Sequence, residues 1–180
     1  MLSKLYDINI VPMTKAHIDD IIKLEEAAYG SHHWSKESFL NEINNELAHY
    51  WCAFDNAGTL TGYAGCWQIL EEAHITTIAV SPEYRRRKIG EALLKTIVDD
   101  CYKNMVKYIT LEVRVSNLPA EKLYEKYGFK SLGVRKGYYQ DNNEDALIMW
   151  TENIFYDKFK LLYEKNIKSL TEKVEIKCQG

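Results

Sequence analysis

The sequence contains no long run of apolar residues, and this absence excludes several classes of protein. No segment approaches the roughly 18 consecutive apolar residues that a membrane-spanning helix needs. The first ten residues, MLSKLYDINI, lack the apolar core of a signal peptide. We therefore expect a cytoplasmic protein that has no membrane among its partners.

The sequence also lacks paired cysteines and a strong excess of charge of one sign. Its four cysteines, at positions 52, 66, 101 and 178, show no C-x-x-C motif, so we expect reduced thiols and no metal site. The formal net charge is −3, which gives no reason to expect direct contact with nucleic acid. No internal repeat or low-complexity linker divides the 180 residues, a length that fits one domain with an appendage.

What the sequence does contain is a strand, a basic turn and a helix in direct succession over residues 73–101. Residues 73–80 alternate and are rich in β-branched side chains, as is typical of a strand. Residues 89–101 carry apolar side chains at helical spacing. Four consecutive cations, at 85–88, lie between them. Because the first amides of a helix are unpaired, such a turn is typical of an anion-binding site. A charge run that only faces solvent is the alternative.

The remaining patterns predict a sheet with helices on both faces. Strand patterns occur at residues 8–13, 50–54, 60–69, 107–115, 129–134 and 145–151. Helices are predicted after Thr14, Ser35 and Asn117, each of which can cap a helix. Because hairpins and strand–helix units both occur, we expect a three-layer α/β fold with a mixed sheet. Residues 152–180 read as an amphipathic helical extension whose end, 173–180, we expect to be frayed.

Four short motifs add to the basic turn. They are HWS at 33–35, LEVRVSN at 111–117, LYEKYGF at 123–129 and RKGYY at 135–139. With these motifs, the chain over about residues 8–150 resembles the GNAT superfamily of N-acetyltransferases, and in detail its bacterial ribosomal-protein-alanine N-acetyltransferase branch. The resemblance implies a domain at 1–151 with a mostly antiparallel, twisted sheet that is splayed at its centre. It also implies acetyl transfer from acetyl-CoA to a protein N-terminal α-amine, with an alanine-started small-subunit ribosomal protein as the presumed partner.

The resemblance implies where acetyl-CoA, the co-substrate, would bind. It assigns the pyrophosphate to the loop formed by Arg85, Arg86, Arg87, Lys88, Ile89, Gly90 and Glu91. It assigns the pantetheine arm to the backbone of Ile78, Ala79 and Val80. Lys88 stands where the family pattern has a glycine, and its ammonium could contact the phosphates instead. Asn117 matches a CoA contact, with helix capping as its alternative role.

The resemblance also implies a pair of catalytic residues, with Glu112 as general base and Tyr124 as general acid. The residues themselves also favour a functional Glu112. Polar residues 110, 112 and 114 share one face of a strand that would be apolar on both faces if it were buried. That face should open onto a cleft. The alternatives are a surface ion pair between Glu112 and Arg114, and a core role for Tyr124.

Three aromatic residues, Trp34, Tyr138 and Tyr139, match segments that flank the acceptor groove, although core packing is an equal alternative. No cysteine matches a nucleophile position, so we expect direct transfer without an acyl-enzyme. An N-terminal α-amine has a pKa of about 7.7–8.0, whereas the lysine amine has a pKa of about 10.4. A modest base such as Glu112 therefore suits an N-terminal amine better than a lysine. A polyamine or antibiotic acetyltransferase and a non-catalytic acyl-CoA sensor remain alternatives. We expect a monomer or a weak homodimer.

Overall fold

The computed structural model describes residues 6–179, and within them eight strands form a single sheet. The strands are β1 (Tyr6–Pro12), β2 (Ala48–Phe54), β3 (Leu60–Ile69), β4 (Glu72–Val80), β5 (Tyr108–Arg114), β6 (Lys130–Tyr139), β7 (Glu144–Trp150) and β8 (Val174–Cys178). The α-helices of the same residues are α1 (Ile18–Tyr29), α2 (Lys36–Ile43), α3 (Ile89–Lys103), α4 (Leu118–Lys126) and α5 (Asp157–Thr171).

The strand order is β6-β7-β5-β4-β3-β2-β1-β8. Only the β4–β5 and β1–β8 pairs are parallel among the described strands, so the sheet is mixed and mostly antiparallel as predicted. One apolar core packs α3, α4 and α5 against one face, through residues such as Leu93 and Phe159. A second core packs α1 and α2 against the other face, through residues such as Ile21 and Phe39. The expected three-layer arrangement is therefore confirmed.

The centre of the sheet is splayed between its two parallel strands. β4 pairs with β5 only over Glu72–Ile75. Beyond that point Thr76 is an additional residue in β4, because Cys66 pairs with Ile75 and Gly65 pairs with Thr77. A bulge of this kind bends the strand that carries it. β4 consequently leaves β5, which goes on pairing with β7, and a gap opens between them.

The predicted helix starts are largely present. The Ser35 side chain accepts the amide of Ser38, and the Asn117 side chain accepts the amide of Ala120, so both residues cap their helices. Gly30 ends α1 with a positive φ of 61°. After Thr14, however, a short 3-10 turn precedes α1. Strand β6 also reaches Tyr139, so the RKGYY motif lies in a strand although the predicted strand ended at residue 134.

The predicted C-terminal helix is present as α5 and packs on its own chain. The Tyr163 hydroxyl donates to Asp99 Oδ1 at 2.7 Å, and Asn166 Nδ2 donates to the Lys126 carbonyl at 2.8 Å. These bonds and the buried Phe159 join α5 to α3 and α4. Within residues 6–179, no helix has both the length and the apolar character needed to cross a membrane.

The expectation of a frayed tail is wrong for most of that segment. Residues 174–178 form β8, so the extension that we predicted as helical ends in a strand. β8 pairs in parallel with β1, from Tyr6 opposite Val174 to Ile10 opposite Cys178. Without β8 the edge of β1 would be open, and an unpaired edge is a liability that proteins usually cover. The strand is only five residues long and pairs with the other end of the chain, so local patterns gave little sign of it.

Candidate active site

The gap between β4 and β5 forms a cleft of about 310 Å³. Its walls come from β4 and β5, and α1, α4 and the end of β6 add further side chains. Six residues singled out from the sequence line this cleft, namely Trp34, Ile78, Glu112, Asn117, Tyr124 and Tyr139. The splay of the sheet therefore brings together residues that are far apart in the sequence.

Glu112 lies on β5 at the point where the two strands separate. Its side chain is only 10% exposed. Oε2 lies 2.5 Å from His74 Nε2, and Oε1 lies 3.4 Å from Arg135 Nη1. The predicted alternative, a surface pair with Arg114, is not formed. Glu112 is a mostly buried carboxylate at the wall of the cleft, which is a suitable place for a group that accepts a proton.

Arg114 also lines the cleft, where it pairs with two other carboxylates instead of Glu112. Its guanidinium donates to Asp141 Oδ2 at 2.8 Å and to Glu144 Oε2 at 3.1 Å. The guanidinium carbon also lies 3.8 Å from the centroid of the Tyr139 ring. A cation at this distance attracts the face of an aromatic ring. Arg114 therefore fixes Tyr139 at the cleft and was missed as a site residue.

Tyr124, on α4, is 8% exposed and packs against Phe129, with 5.6 Å between ring centroids. Burial raises the pKa of its phenol, because the charged form would be poorly solvated. The phenol therefore stays protonated at neutral pH. Its hydroxyl has no hydrogen-bond partner within residues 6–179, although the residue lines the cleft. The predicted core role and a role in the cleft are thus compatible.

Glu25 is a second carboxylate at the cleft that the sequence reasoning missed. It is 2% exposed, and its Oε2 accepts the amide of Trp34 at 3.0 Å. Its Oε1 accepts the hydroxyl of Tyr63. Glu25 thus holds Trp34 at the cleft wall. A signal was present, since Glu25 follows Ile18 and Ile21 at helical spacing on the buried face of α1.

The predicted pantetheine strand has an open edge. Residues 77–80 of β4 pair with β3 but not with β5, so one side of this segment lacks a strand partner in the described sheet. Ile78 lines the cleft, whereas Ala79 and Val80 lie beyond its lining. Backbone groups along an open strand edge are available to an extended ligand.

At Lys88, where the family pattern has glycine, the basic loop adopts a left-handed backbone conformation that glycine accommodates easily. Lys88 has a φ of 68° and Arg86 a φ of 63°, both in the left-handed region. Gly90 has no positive φ, and a Cβ added there would lie 3.6 Å from Val80 and 3.9 Å from Leu123. These are ordinary contacts, so the fold itself does not require glycine at position 90. This short distance to Leu123 also places the loop next to α4, one residue from Tyr124.

The cations of the loop have different environments. Arg85 and Arg86 are exposed and form no ion pair within residues 6–179. The Arg87 guanidinium lies 5.0 Å from the ring centroid of Tyr84. Lys88 Nζ lies 3.0 Å from Glu91 Oε2, so its ammonium is already engaged.

Glu91 joins the loop to the end of α4. It is 5% exposed and accepts hydrogen bonds from Lys88, from Lys126 and, at 2.8 Å, from the Tyr127 hydroxyl. Burial alone would raise the pKa of Glu91, but the hydrogen bonds outweigh burial and hold it below its usual range. Glu91 is therefore a structural anion beneath the loop.

Tyr138 lies outside the lining of the cleft. It is 40% exposed, and its ring packs edge-on against Tyr139 at 5.1 Å between centroids. The Arg135 guanidinium lies 5.4 Å from the same ring.

Within the described residues, no group of three or more His, Cys, Asp or Glu side chains is arranged to hold a metal ion.

Comparison with known proteins gives consistent matches. The model of the acetyltransferase (GNAT) family matches residues 17–129. A Bacillus subtilis protein, provisionally named a ribosomal protein bS18-alanine N-acetyltransferase, is 45% identical over 134 residues, which are 74% of this chain and 87% of that protein. The Escherichia coli K12 ribosomal protein bS18-alanine N-acetyltransferase is 36% identical over 118 residues, which are 64% of this chain and 78% of that protein.

Solved structures agree with these relatives. The crystal structure of the ribosomal-protein-S18-alanine N-acetyltransferase from Escherichia coli superposes with a TM-score of 0.74 at 32% identity. The match covers 81% of this chain and 94% of that one. Ard1 from Thermoplasma volcanium superposes with a TM-score of 0.73 at 23% identity, which shows a shared fold.

Proposed function

The chain belongs to the GNAT family of acetyltransferases, and from this premise we propose that it moves the acetyl group of acetyl-CoA to the N-terminal α-amine of a protein. The names of its relatives support an alanine-started ribosomal protein of the small subunit as the acceptor. The observation that carries the proposal is the cleft itself, where Glu112 and Tyr124 line one cavity beside the open edge of β4.

Glu112 is the general base in this proposal and Tyr124 the general acid. Glu112 accepts a proton from the acceptor ammonium, directly or through one water. The free amine attacks the thioester carbonyl, so that the C–N bond forms and the C–S bond breaks, and the nitrogen releases its second proton to solvent. Tyr124 gives its phenolic proton to the departing thiolate of CoA. Its protonated state at neutral pH suits it to this step.

We propose that the loop of residues 85–91 binds the CoA pyrophosphate mainly through its backbone amides. The positive end of α3 adds favourable charge, and so do the exposed side chains of Arg85 and Arg86, which form no ion pair within residues 6–179. Arg87 and Lys88 support the loop conformation, because Tyr84 and Glu91 already engage them.

We propose that the pantetheine arm runs along the open edge of β4 at residues 78–80. The arm would then occupy the place of a missing strand, since this edge has no strand partner in the described sheet. Asn117 contacts CoA in this proposal and also caps α4.

The acceptor peptide would enter between Trp34 and Tyr139, which both line the cleft. Glu25 holds the backbone of Trp34, whose ring packs against Phe39 at 5.5 Å between centroids. Arg114 lies against the ring of Tyr139, so both rings are packed in place before any ligand binds. Fixed rings reduce the entropy that is lost on binding. Tyr138 would form the outer rim of this groove.

We also propose that residues 1–151 form the acetyltransferase domain and that residues 152–180 are an extension that covers α3 and α4. The buried contacts of α5 within its own chain support a monomer or a weak homodimer. The net charge of −3 gives no reason to expect direct contact with nucleic acid. We propose that the protein acts in the cytoplasm without a membrane partner.

The proposal is tested by measuring CoA release from acetyl-CoA with three acceptors. These are an alanine-started peptide, the same peptide with a blocked N-terminus, and spermidine. We expect release with the first peptide only. The rate should fall strongly in Glu112→Gln and stay unchanged in the matched control Glu125→Gln, which alters an exposed glutamate of α4. Turnover of spermidine alone would favour a small-amine enzyme, and CoA binding without any turnover would favour a sensor.

A further inference from the structure

We propose that His74 is a positioning residue that holds the carboxylate of Glu112 in its working orientation. The inference rests on the proposed role of Glu112 as general base. His74 Nε2 lies 2.5 Å from Glu112 Oε2, so a proton must lie between these two atoms. With Glu112 ionised, that proton is on the imidazole, and His74 donates it to the carboxylate.

The backbone of His74 is held from both sides. It pairs with Trp67 of β3 and with Thr110 of β5. Glu112 lies two residues beyond Thr110 on the same face of β5, which makes it the diagonal neighbour of His74. Long side chains reach each other across such a diagonal. The imidazole is therefore presented from a rigid part of the sheet, just before the strands separate.

The second oxygen of Glu112 has a weaker partner. Arg135 approaches Oε1 at 3.4 Å, and its side chain is 55% exposed. An exposed guanidinium at this distance is largely screened by water and loses entropy when it is held in place. His74 is therefore the main group that sets the plane of the Glu112 carboxylate.

His74 is not part of the cleft lining, and its side chain is 39% exposed. An acceptor amine in the cleft would therefore contact the carboxylate without contacting the imidazole. Loss of His74 should impair the proton transfer while the binding of acetyl-CoA stays intact. A mostly buried carboxylate without its donor would also lose its fixed orientation.

The test compares His74→Leu, His74→Gln and His74→Asn in the full chain with the alanine-started peptide. A glutamine amide nitrogen can take the place of Nε2, whereas the shorter asparagine amide cannot reach it. We expect kcat to fall about tenfold in the leucine and asparagine variants, equivalent to about 1.4 kcal/mol, and to recover in the glutamine variant. KM for acetyl-CoA should change less than about twofold in all three.

A double-mutant cycle separates this inference from the proposed function. His74→Leu should cause no further loss of kcat in the Glu112→Gln background, because its partner is already removed. Full activity of Glu112→Gln would reject the proposed base itself. An inactive Glu112→Gln beside a fully active His74→Leu would reject only the role of His74. Equal losses of kcat in the glutamine and asparagine variants would also overturn the role of His74. If the leucine variant does not fold, the comparison of these two variants tests the role by itself.

Discussion

Replacement of Gly90 by alanine should separate ligand binding from stability. Gly90 is the second residue of α3, where alanine is favoured over glycine by up to about 1 kcal/mol. The added methyl would meet Val80 at 3.6 Å and Leu123 at 3.9 Å, both ordinary van der Waals distances. We therefore expect the free energy of unfolding to stay unchanged or to rise by up to about 1 kcal/mol, which shifts Tm by about 2–4 °C.

Coenzyme A binding should respond in the opposite direction. If a phosphate lies against the backbone of Gly90, the new methyl occupies that space and moves the phosphate away from the amides of α3. We expect the Kd for CoA to rise at least about tenfold, equivalent to about 1.4 kcal/mol.

Isothermal titration calorimetry with CoA and thermal melting of the same samples measure both effects of Gly90→Ala. Gly133→Ala is a matched control, since a Cβ there would lie 3.9 Å from Ile148 and Gly133 is in β6, outside the loop. A Gly90→Ala protein that binds CoA as tightly as the wild type would refute the assignment of the pyrophosphate to this loop. A large loss of Tm would show that position 90 is needed for the fold instead.

Two further predictions concern the site and its support. Tyr124→Phe should lower kcat by about 100-fold in the CoA-release assay, because the removed hydroxyl would protonate the thiolate. Tm should not fall, because this hydroxyl has no hydrogen-bond partner in the described residues. An unchanged kcat would contradict the role of Tyr124 as the acid. Glu144 has a pKa lowered from its ordinary 4.5 to about 2, mainly through hydrogen bonds from Ser116. Its contribution to stability is therefore complete above about pH 4.5 and is lost as the pH falls towards 2. The free energy of unfolding of Glu144→Gln, measured with urea, should depend less on pH in this range than that of the wild type. An equal pH dependence in the two proteins would contradict the lowered pKa of Glu144.

Local sequence patterns predicted much of the fold. The resemblance to the acetyltransferase family and the mixed sheet are both confirmed. Ser35 and Asn117 cap their helices as predicted, because a cap depends on a side chain and an amide three residues away. The roles assigned to the individual site residues stay predictions.

Features that depend on distant contacts were not predictable in this way. No local sequence pattern indicates the bulge at Thr76, because the bulge depends on how β3 pairs with β4. Gly65, which lies opposite the bulge, must be glycine since a Cβ there would overlap the ring of Tyr50. His74 and Arg135 meet at Glu112 only after three separate strands have come together.

The most direct test of the central claim is to locate the acetyl group on an acceptor peptide. An alanine-started peptide that also contains a lysine is incubated with acetyl-CoA and the protein, and tandem mass spectrometry assigns the modified nitrogen. The account predicts one acetyl group on the α-amine with the wild type and with Glu125→Gln, and almost none with Glu112→Gln. Acetylation of the lysine side chain alone, or equal acetylation by the wild type and Glu112→Gln, would contradict it.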